Sequence, residues 1–182
     1  FLLYNLRKHT YDVVIPAEYG RFTPDDFHPD EYVRYPSDDL MIPAILYGPK
    51  EIEPNAKLPA IVVPHGGPTH HYARIFYDYA QVLASRGYVL LFPNVRGSTG
   101  YGAEYRDACL NDWGGKDLDD IEAGVSYLHS LDYIDPKRIG IFGASYGGYM
   151  TFMAVTKKPN LWKAGSAYVG ISSLIHNYKR SK

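Results

Sequence analysis

A chain of 182 residues in which 46% of the side chains are apolar and 21% are charged is long enough, and apolar enough, to bury one domain core. A formal net charge of -1 gives no reason to expect nucleic acid or an anionic membrane as a partner. No apolar run approaches the ~20 residues of a membrane span, and the lone Cys109 excludes an intrachain disulfide, so we expect a cytoplasmic protein.

The chain opens with a predicted pair of short strands, residues 1–6 and 11–15, joined by a polar turn. The first residues lack a Met, a basic stretch and a small-residue cleavage site. We therefore expect them to lie within a longer protein, or to follow a processing site, and not to form a signal peptide. Residues 16–30 are rich in Pro, Asp and Gly and contain no apolar run, which indicates a linker.

Two further strands, residues 32–35 and 42–47, flank a polar turn at residues 37–39 and are predicted to pair in antiparallel fashion. Pro43 lies inside the second of them. Because proline cannot donate a backbone hydrogen bond, this strand is expected at an edge of the sheet or at a bulge.

From residue 58 onward, short apolar runs alternate with helical patterns. The runs at residues 60–63, 89–92, 138–142 and 164–169 are typical of strands buried on both faces. The helix after the first run is expected to end at Gly87 and to bury one face, formed by Ile75, Tyr79, Val82 and Leu83. Later helices are predicted around residues 118–128 and over residues 146–156. This alternation predicts an α/β fold with a mostly parallel sheet and antiparallel edge strands.

The third apolar run leads directly into the sequence Gly143-Ala144-Ser145-Tyr146-Gly147, and a predicted helix follows at once. This is the G-x-S-x-G pattern in a strand–turn–helix setting, in which the serine occupies a tight, strained turn and its hydroxyl projects above the sheet. Glycines two residues to either side keep side chains out of the turn. A Gly- and Ser-rich turn without chemistry is the alternative, but the position between a buried strand and a helix favours Ser145 as the nucleophile of a hydrolase.

Acyl transfer also needs donors for the negative charge that develops on the substrate carbonyl oxygen. One donor is expected to be the backbone N–H of Tyr146, the residue after the nucleophile. The other is expected in the loop that follows the first buried strand, where His65-Gly66-Gly67 stands. We assign it to the Gly67 N–H, with Gly66 as the alternative.

Other polar residues have simpler explanations than catalysis. His65 precedes the serine, whereas this fold places its base last, so we expect His65 to brace its loop by hydrogen bonds. His70 and His71 are expected to border the cleft or to face solvent. Asp119 and Asp120 are adjacent on a helix and point in different directions, so capping and solvation are the expected roles.

The glycine-rich segment at residues 94–102 matches neither G-x-x-x-x-G-K-[ST] nor G-x-G-x-x-G, the two glycine patterns that bind phosphate groups. It is interpreted as a structural loop beside the site, in which Arg96 ties loops together. Trp113 is expected to pack where a helix begins. Neither a cofactor nor a metal site is predicted.

Five stretches of the chain together resemble the catalytic domain of the prolyl oligopeptidase family of serine peptidases, nearest its acylaminoacyl-peptidase and dipeptidyl-peptidase-like branches. They are EYVRYPSDDLMIPAILYGPK, IVVPHGGP, GYVLLFPNVRGSTGYG, DWGGKDLDDIEAGVSYL and RIGIFGASYGGYM, which lie between about residues 31 and 170. The resemblance implies an α/β-hydrolase fold, Ser145 as nucleophile, and Tyr146 and Gly67 as oxyanion donors. It also implies a short peptide substrate that is admitted by a preceding β-propeller.

On that resemblance, residues 1–15 are the end of the propeller, residues 16–30 are the linker, and residues 31–182 are the N-terminal part of the hydrolase domain, truncated before the last strands. A serine hydroxyl needs a base and an acid, and in this fold both follow the serine. No Asp or Glu follows Ser145, and the only later histidine, His176, comes too early for the base of the family. We therefore expect a missing C-terminal segment or a second chain to supply the Asp and the His, and residues 1–182 alone to be inactive.

Three functions remain open at this point. The first is a serine peptidase that acts near the N-terminus of short peptides. The second is a carboxylesterase of the same fold, since the same apparatus cleaves esters. The third is a non-catalytic binding module, which the missing acid and base favour and the intact Ser145 turn disfavours, because an unused turn of this kind keeps its strain without benefit.

Overall fold

The computed structural model describes residues 1–16 and 20–180. Strands β1 (Leu2–Asn5) and β2 (Thr10–Val13) form a separate antiparallel hairpin, as the sequence predicts. The side chain of Asn5 closes its turn by accepting the N–H groups of Arg7 and Lys8 at 3.0 Å. Every side chain in both strands is exposed. The predicted linker includes residues 17–19, which lie outside the described residues, and the division into propeller and hydrolase domains stays a prediction.

The main sheet begins with an antiparallel pair, β3 (Asp30–Ser37) and β4 (Leu40–Tyr47). The expectation that Pro43 marks an edge strand is wrong, because β4 lies between β3 and β6 (Val89–Pro93). The ladder between β4 and β6 starts only at Ala44, so the missing N–H of Pro43 removes no hydrogen bond from it. The carbonyl of Pro43 still accepts the N–H of Asn94 at 2.8 Å.

The rest of the chain alternates strands with helices. In chain order the remaining elements are β5 (Leu58–Val62), α1 (Asp78–Ala84), β6, α2 (Ala103–Asp107), α3 (Lys116–His129), β7 (Ile134–Ala144), α4 (Tyr146–Lys157), β8 (Ala164–Tyr168) and α5 (Leu174–Arg180). The six strands of the sheet lie in the order β3-β4-β6-β5-β7-β8. The pairs β5–β6, β5–β7 and β7–β8 are parallel, and the first two strands are antiparallel to their neighbours, as predicted.

The strand order explains where a site can form. The chain passes from β5 to β6 on one side and then returns to place β7 on the other side of β5. In open α/β sheets, ligands bind at such a reversal, beside the carboxyl ends of the strands. The loops after β5 and β7 contain Gly66 and Ser145, respectively.

Apolar side chains pack on both faces of the sheet. The face covered by α3 and α4 buries the larger cluster, which includes Ile121, Leu128, Ile139 and Met150. The face covered by α1 buries a smaller cluster around Leu90 and Phe92.

The predicted buried face of the first helix is partly wrong. Helix α1 begins after Ile75, and both Ile75 and Val82 are 58% exposed. The helix instead buries Ala80 and Ala84, which lie four residues apart on one face. Two alanines in this position let the helix axis lie close to the sheet, so the larger side chains are displaced to the flanks.

The last strand forms an exposed border. β8 pairs only with β7 in the described sheet, and four of its five residues are exposed. Exposed sheet edges are sites for further strand pairing. Among the described residues, no helix has both the length and the apolar character that crossing a membrane requires.

Candidate active site

Ser145 forms the one-residue turn between β7 and α4, and its side chain is exposed. Its backbone angles are φ 58° and ψ -118°, a combination that costs a residue with a Cβ about 1–3 kcal/mol. The turn is held on both sides, because the Ser145 N–H donates to the carbonyl of Tyr168 and the Ser145 carbonyl accepts the N–H of Tyr149, each at 3.0 Å. The strained, solvent-facing serine that the motif predicts is therefore present in the structure.

Two glycines allow this turn to close. A Cβ on Gly143 would lie 2.3 Å from the carbonyl oxygen of Gly147, so the strand and the helix meet with no room for a side chain. A Cβ on Gly147 would lie 2.2 Å from the carbonyl oxygen of Pro64. The turn thus packs directly against the end of β5, which sets its position relative to the neighbouring loop.

The loop after β5 comes close to Ser145 at Gly66. A Cβ on Gly66 would lie 3.6 Å from the Cβ of Ser145. Gly67 follows in an exposed position with φ +119°, which glycine adopts without strain. Within the described part of the chain, the N–H groups of Gly66, Gly67 and Tyr146 make no hydrogen bond to another residue. The site therefore carries unpaired amide donors next to an exposed serine.

His65 is buried and uses both ring nitrogens inside its loop. Nδ1 lies 2.6 Å from the Gly66 carbonyl, which can only accept, so Nδ1 carries the proton. Nε2 lies 2.8 Å from the Ser98 hydroxyl, whose single proton also faces the Val95 carbonyl at 2.6 Å. Burial lowers the pKa of His65 to about 4, which leaves the ring neutral at pH 7. The predicted bracing role agrees with these contacts.

The hydrogen bond from His65 bears on the donor assignment. The Gly66 carbonyl and the Gly67 N–H belong to one peptide group, and a trans peptide directs them to opposite sides. Holding the carbonyl with the imidazole therefore fixes the direction of the Gly67 N–H as well.

Asp117 lies beneath the turn, and its role was not found from the sequence. Its Oδ1 accepts the N–H groups of Gly114 at 2.8 Å and of Leu118 at 2.9 Å, and its Oδ2 accepts a short hydrogen bond from the Tyr146 hydroxyl. Burial raises the pKa of Asp117 to about 6, although all three hydrogen bonds favour the charged form. The pKa of Tyr146 is raised well above its usual range, chiefly by burial and then by the charge of Asp117.

The expectation that Asp120 serves capping and solvation is wrong. Asp120 is fully buried and accepts three hydrogen bonds from Arg96: one from its backbone N–H at 2.8 Å and two from its guanidinium, at 2.9 Å and 2.7 Å. Asp119, its neighbour, is exposed as expected. The two residues do point in different directions, but the direction of Asp120 is into the core, where the buried Arg96 compensates its charge.

This ion pair fixes the loop at residues 94–102 against α3. The loop continues from Arg96 to Ser98, which contacts His65, so it packs against the loop that contains Gly66. A Cβ on Gly97 would lie 2.6 Å from Sγ of Cys109, which explains the glycine there. The expectation that Arg96 ties loops together is therefore wrong in its partner, because the hydrogen bonds of Arg96 tie its loop to helix α3 through Asp120.

For Ser145 to act as a nucleophile, its hydroxyl requires a histidine base and a carboxylate in its surroundings. In residues 1–16 and 20–180, the Ser145 hydroxyl has no hydrogen bond to a histidine or a carboxylate. His176 lies exposed on α5, and its backbone N–H donates to Ser173 Oγ at 3.2 Å. His70 and His71 are exposed, and Nδ1 of His71 lies 3.2 Å from Thr99 Oγ1. No cluster of three or more potential metal ligands occurs among the described side chains.

The chain is similar to known proteins in both sequence and structure. The family model of the prolyl oligopeptidase family matches residues 75–182. The chain is 40% identical over 147 residues to an uncharacterized peptidase, YuxL, of Bacillus subtilis, a match that covers 80% of this chain and 22% of that protein. It is 36% identical over 120 residues to dipeptidyl aminopeptidase BIII of Pseudoxanthomonas mexicana, covering 66% of this chain and 17% of that protein.

Among solved structures, the acylaminoacyl peptidase of Pyrococcus horikoshii superposes with a TM-score of 0.78 at 36% identity. That superposition covers 84% of this chain and 25% of the other. The chain thus spans about a fifth of the length of the curated relatives it matches.

Proposed function

The chain belongs to the prolyl oligopeptidase family, and from this premise we propose that it carries the nucleophile of a serine peptidase that hydrolyses short peptides through an acyl-enzyme on Ser145. One observation supports this proposal most strongly. An exposed serine occupies a strained turn at the carboxyl edge of a parallel sheet, beside amide N–H groups with no partner in the described chain. This arrangement supports nucleophilic attack followed by stabilisation of an oxyanion.

In the proposed reaction, Ser145 Oγ bonds to the carbonyl carbon of the scissile peptide and its proton passes to a histidine base. The carbonyl electron pair moves to the oxygen, which accepts hydrogen bonds from the N–H groups of Tyr146 and Gly67. The C–N bond then breaks, and the leaving amine takes the proton from the histidine. Water attacks the acyl-enzyme by the same sequence of steps and releases the new carboxyl group.

The histidine and its partner carboxylate are proposed to come from a C-terminal segment beyond Lys182 or from a second chain. The exposed edge of β8 supports this, because additional strands can pair there and bring further loops to the same side of the sheet. On this proposal, residues 1–182 alone hydrolyse peptides no faster than background.

Short peptides are the proposed substrates for two reasons. The names of the matched proteins include a dipeptidyl aminopeptidase and an acylaminoacyl peptidase. The β1–β2 hairpin is also exposed on both faces, and a two-stranded hairpin is only marginally stable alone. A covering domain that includes residues 1–15, such as a β-propeller that restricts entry to the site, accounts for that exposure.

The test uses the full-length protein, with any sequence that flanks residues 1–182. We expect hydrolysis of dipeptidyl and N-acylaminoacyl anilides that Ser145→Ala reduces to background. Ser126→Ala, which removes a hydroxyl from the exposed face of α3, is the matched control and retains the rate. A folded wild-type protein that cleaves only a p-nitrophenyl ester indicates the esterase alternative. Peptide hydrolysis that survives Ser145→Ala contradicts the proposal.

A further inference from the structure

The Tyr146 side chain is anchored at its far end although its neighbour Ser145 faces solvent. Tyr146 is 1% exposed, and its ring meets that of Trp113 edge-on at a centroid distance of 5.2 Å. Its hydroxyl donates to Asp117 in the first turn of α3. The residue that supplies the proposed oxyanion donor is therefore connected, through its side chain, to a second helix.

Both carboxylate oxygens of Asp117 accept hydrogen bonds. One oxygen accepts two backbone N–H groups at the start of α3, which fixes the carboxylate, and the other accepts the Tyr146 hydroxyl. No basic side chain within the described ranges forms an ion pair with it. The carboxylate is thus held by the backbone of α3 and in turn holds Tyr146.

The backbone next to Tyr146 needs such an anchor. Residues in sparsely populated φ and ψ regions keep their geometry only when the surrounding structure over-determines it. Two backbone hydrogen bonds hold Ser145 itself, to Tyr168 and from Tyr149. The Ser145 carbonyl, which belongs to the Ser145–Tyr146 peptide group, accepts the Tyr149 N–H and gives that group one anchor. The Tyr146 side chain, through its hydrogen bond to Asp117, adds a second anchor on the other side of the group.

We infer that Asp117 is a positioning residue that, through the hydroxyl of Tyr146, holds the Ser145–Tyr146 peptide group and aims the Tyr146 N–H at the oxyanion. The inference rests on the proposed function, since it assigns Tyr146 as donor. Asp117 touches neither the substrate nor the reacting atoms.

A purely stabilising role explains Asp117 less well. Its pKa is raised to about 6 in the folded protein, so at neutral pH the ionised form is less favourable in the folded state than in the unfolded one. A neutral side-chain oxygen, as in Asn or Ser, could accept the Gly114 and Leu118 N–H groups without that cost, since they use only Oδ1. The second oxygen, Oδ2, serves the Tyr146 hydroxyl.

The experiment compares Tyr146→Phe with Tyr149→Phe in the full-length protein. Both changes remove one phenolic hydroxyl from the first turn of α4, but the Tyr149 hydroxyl donates to the Trp113 carbonyl at 3.0 Å and not to Asp117. The readouts are kcat and KM for a peptide anilide, the Ki of a peptide boronic acid that forms a tetrahedral adduct on the serine, and the unfolding midpoint.

We expect Tyr146→Phe to lower kcat by roughly 10- to 100-fold, part of the loss of a complete oxyanion donor, with KM within about 2-fold. The Ki of the peptide boronic acid should rise by the same factor by which kcat/KM falls. Tyr149→Phe should leave kcat and the Ki of the boronic acid within about 2-fold of the wild-type values. Asp117→Ala should match Tyr146→Phe, and the double variant should be no slower than either, because the two residues act as one unit.

Equal kcat values for Tyr146→Phe and Tyr149→Phe overturn the inference, as do additive losses in the double variant. If Asp117→Ala does not fold, the two tyrosine variants decide alone. These outcomes leave the proposed function intact as long as hydrolysis depends on Ser145. Absence of any Ser145-dependent hydrolysis in the wild type overturns the proposed function, and the inference with it.

Discussion

Replacing Ser145 by glycine should stabilise the fold relative to replacing it by alanine. Comparing these two variants removes the contribution of the hydroxyl, which both lack. At φ 58° and ψ -118°, the Cβ of alanine retains a strain of about 1–3 kcal/mol that glycine does not have. Glycine loses about 0.5–1 kcal/mol more chain entropy on folding. The difference favours Ser145→Gly over Ser145→Ala by up to about 2.5 kcal/mol.

The control position is Ser130, at the end of α3, where φ is -76° and ψ is -14°. An alanine is unstrained there, so Ser130→Gly should be less stable than Ser130→Ala by about 0.4–1 kcal/mol. All four variants are measured by equilibrium urea unfolding of the full-length protein, and free-energy differences are taken from midpoints at a common m-value. If glycine is the less stable residue at both positions, the Ser145 turn is not strained and the argument from the turn fails.

Further predictions concern the same region. Gly147→Ala should cost about 1–3 kcal/mol in urea unfolding and lower the hydrolysis rate, because its Cβ would meet the backbone at the end of β5 at 2.2 Å. The lowered pKa of His65 means that the unfolded state binds a proton which the folded state does not. Stability should therefore fall by up to about 3 kcal/mol as pH drops from 6.5 to 4, and His65→Gln should flatten that profile. The raised pKa of Asp117 has the opposite effect, so Asp117→Asn should steepen it. Asp120→Ala should cost roughly 3–5 kcal/mol in urea unfolding, since it leaves the Arg96 cation buried without a partner.

The parts of the fold that the sequence predicted are those with a strong local signal. Buried strands such as β6 are continuous apolar runs, and the Ser145 turn combines a strand, two glycines and a helix in a few residues. The loop around Gly66 was recognisable because glycines follow a buried strand directly. In each case, the residues that determine the geometry are neighbours in the chain.

Contacts between distant residues could not be predicted in this way. Asp117 and Asp120 lie on the buried face of α3. Their helical spacing from the apolar residues of that face, Ile121, Gly124 and Leu128, is enough to indicate that they point toward the core. That signal was available, but their partners Tyr146 and Arg96 are 29 and 24 residues away, and only the packing of α3 against both loops brings them together.

The predictions for Val82 and Pro43 were wrong for a related reason. Val82 has the periodicity of a buried residue, but two alanines set the approach of α1 to the sheet and leave it exposed. Pro43 has the chemistry of an edge residue, but the neighbouring ladder begins one residue later. In both cases, tertiary packing decided an outcome that the local pattern left open.

In the proposed reaction Ser145 is a reactive nucleophile, and covalent labelling tests that property directly. The full-length protein is treated with a fluorophosphonate, digested, and mapped by mass spectrometry, with Ser145→Ala and Ser126→Ala as the paired variants. We expect one adduct, on the peptide that contains Ser145, present in Ser126→Ala and absent in Ser145→Ala. Peptide hydrolysis by a protein in which Ser145 stays unlabelled, or labelling of another serine with loss of activity, would contradict the assignment.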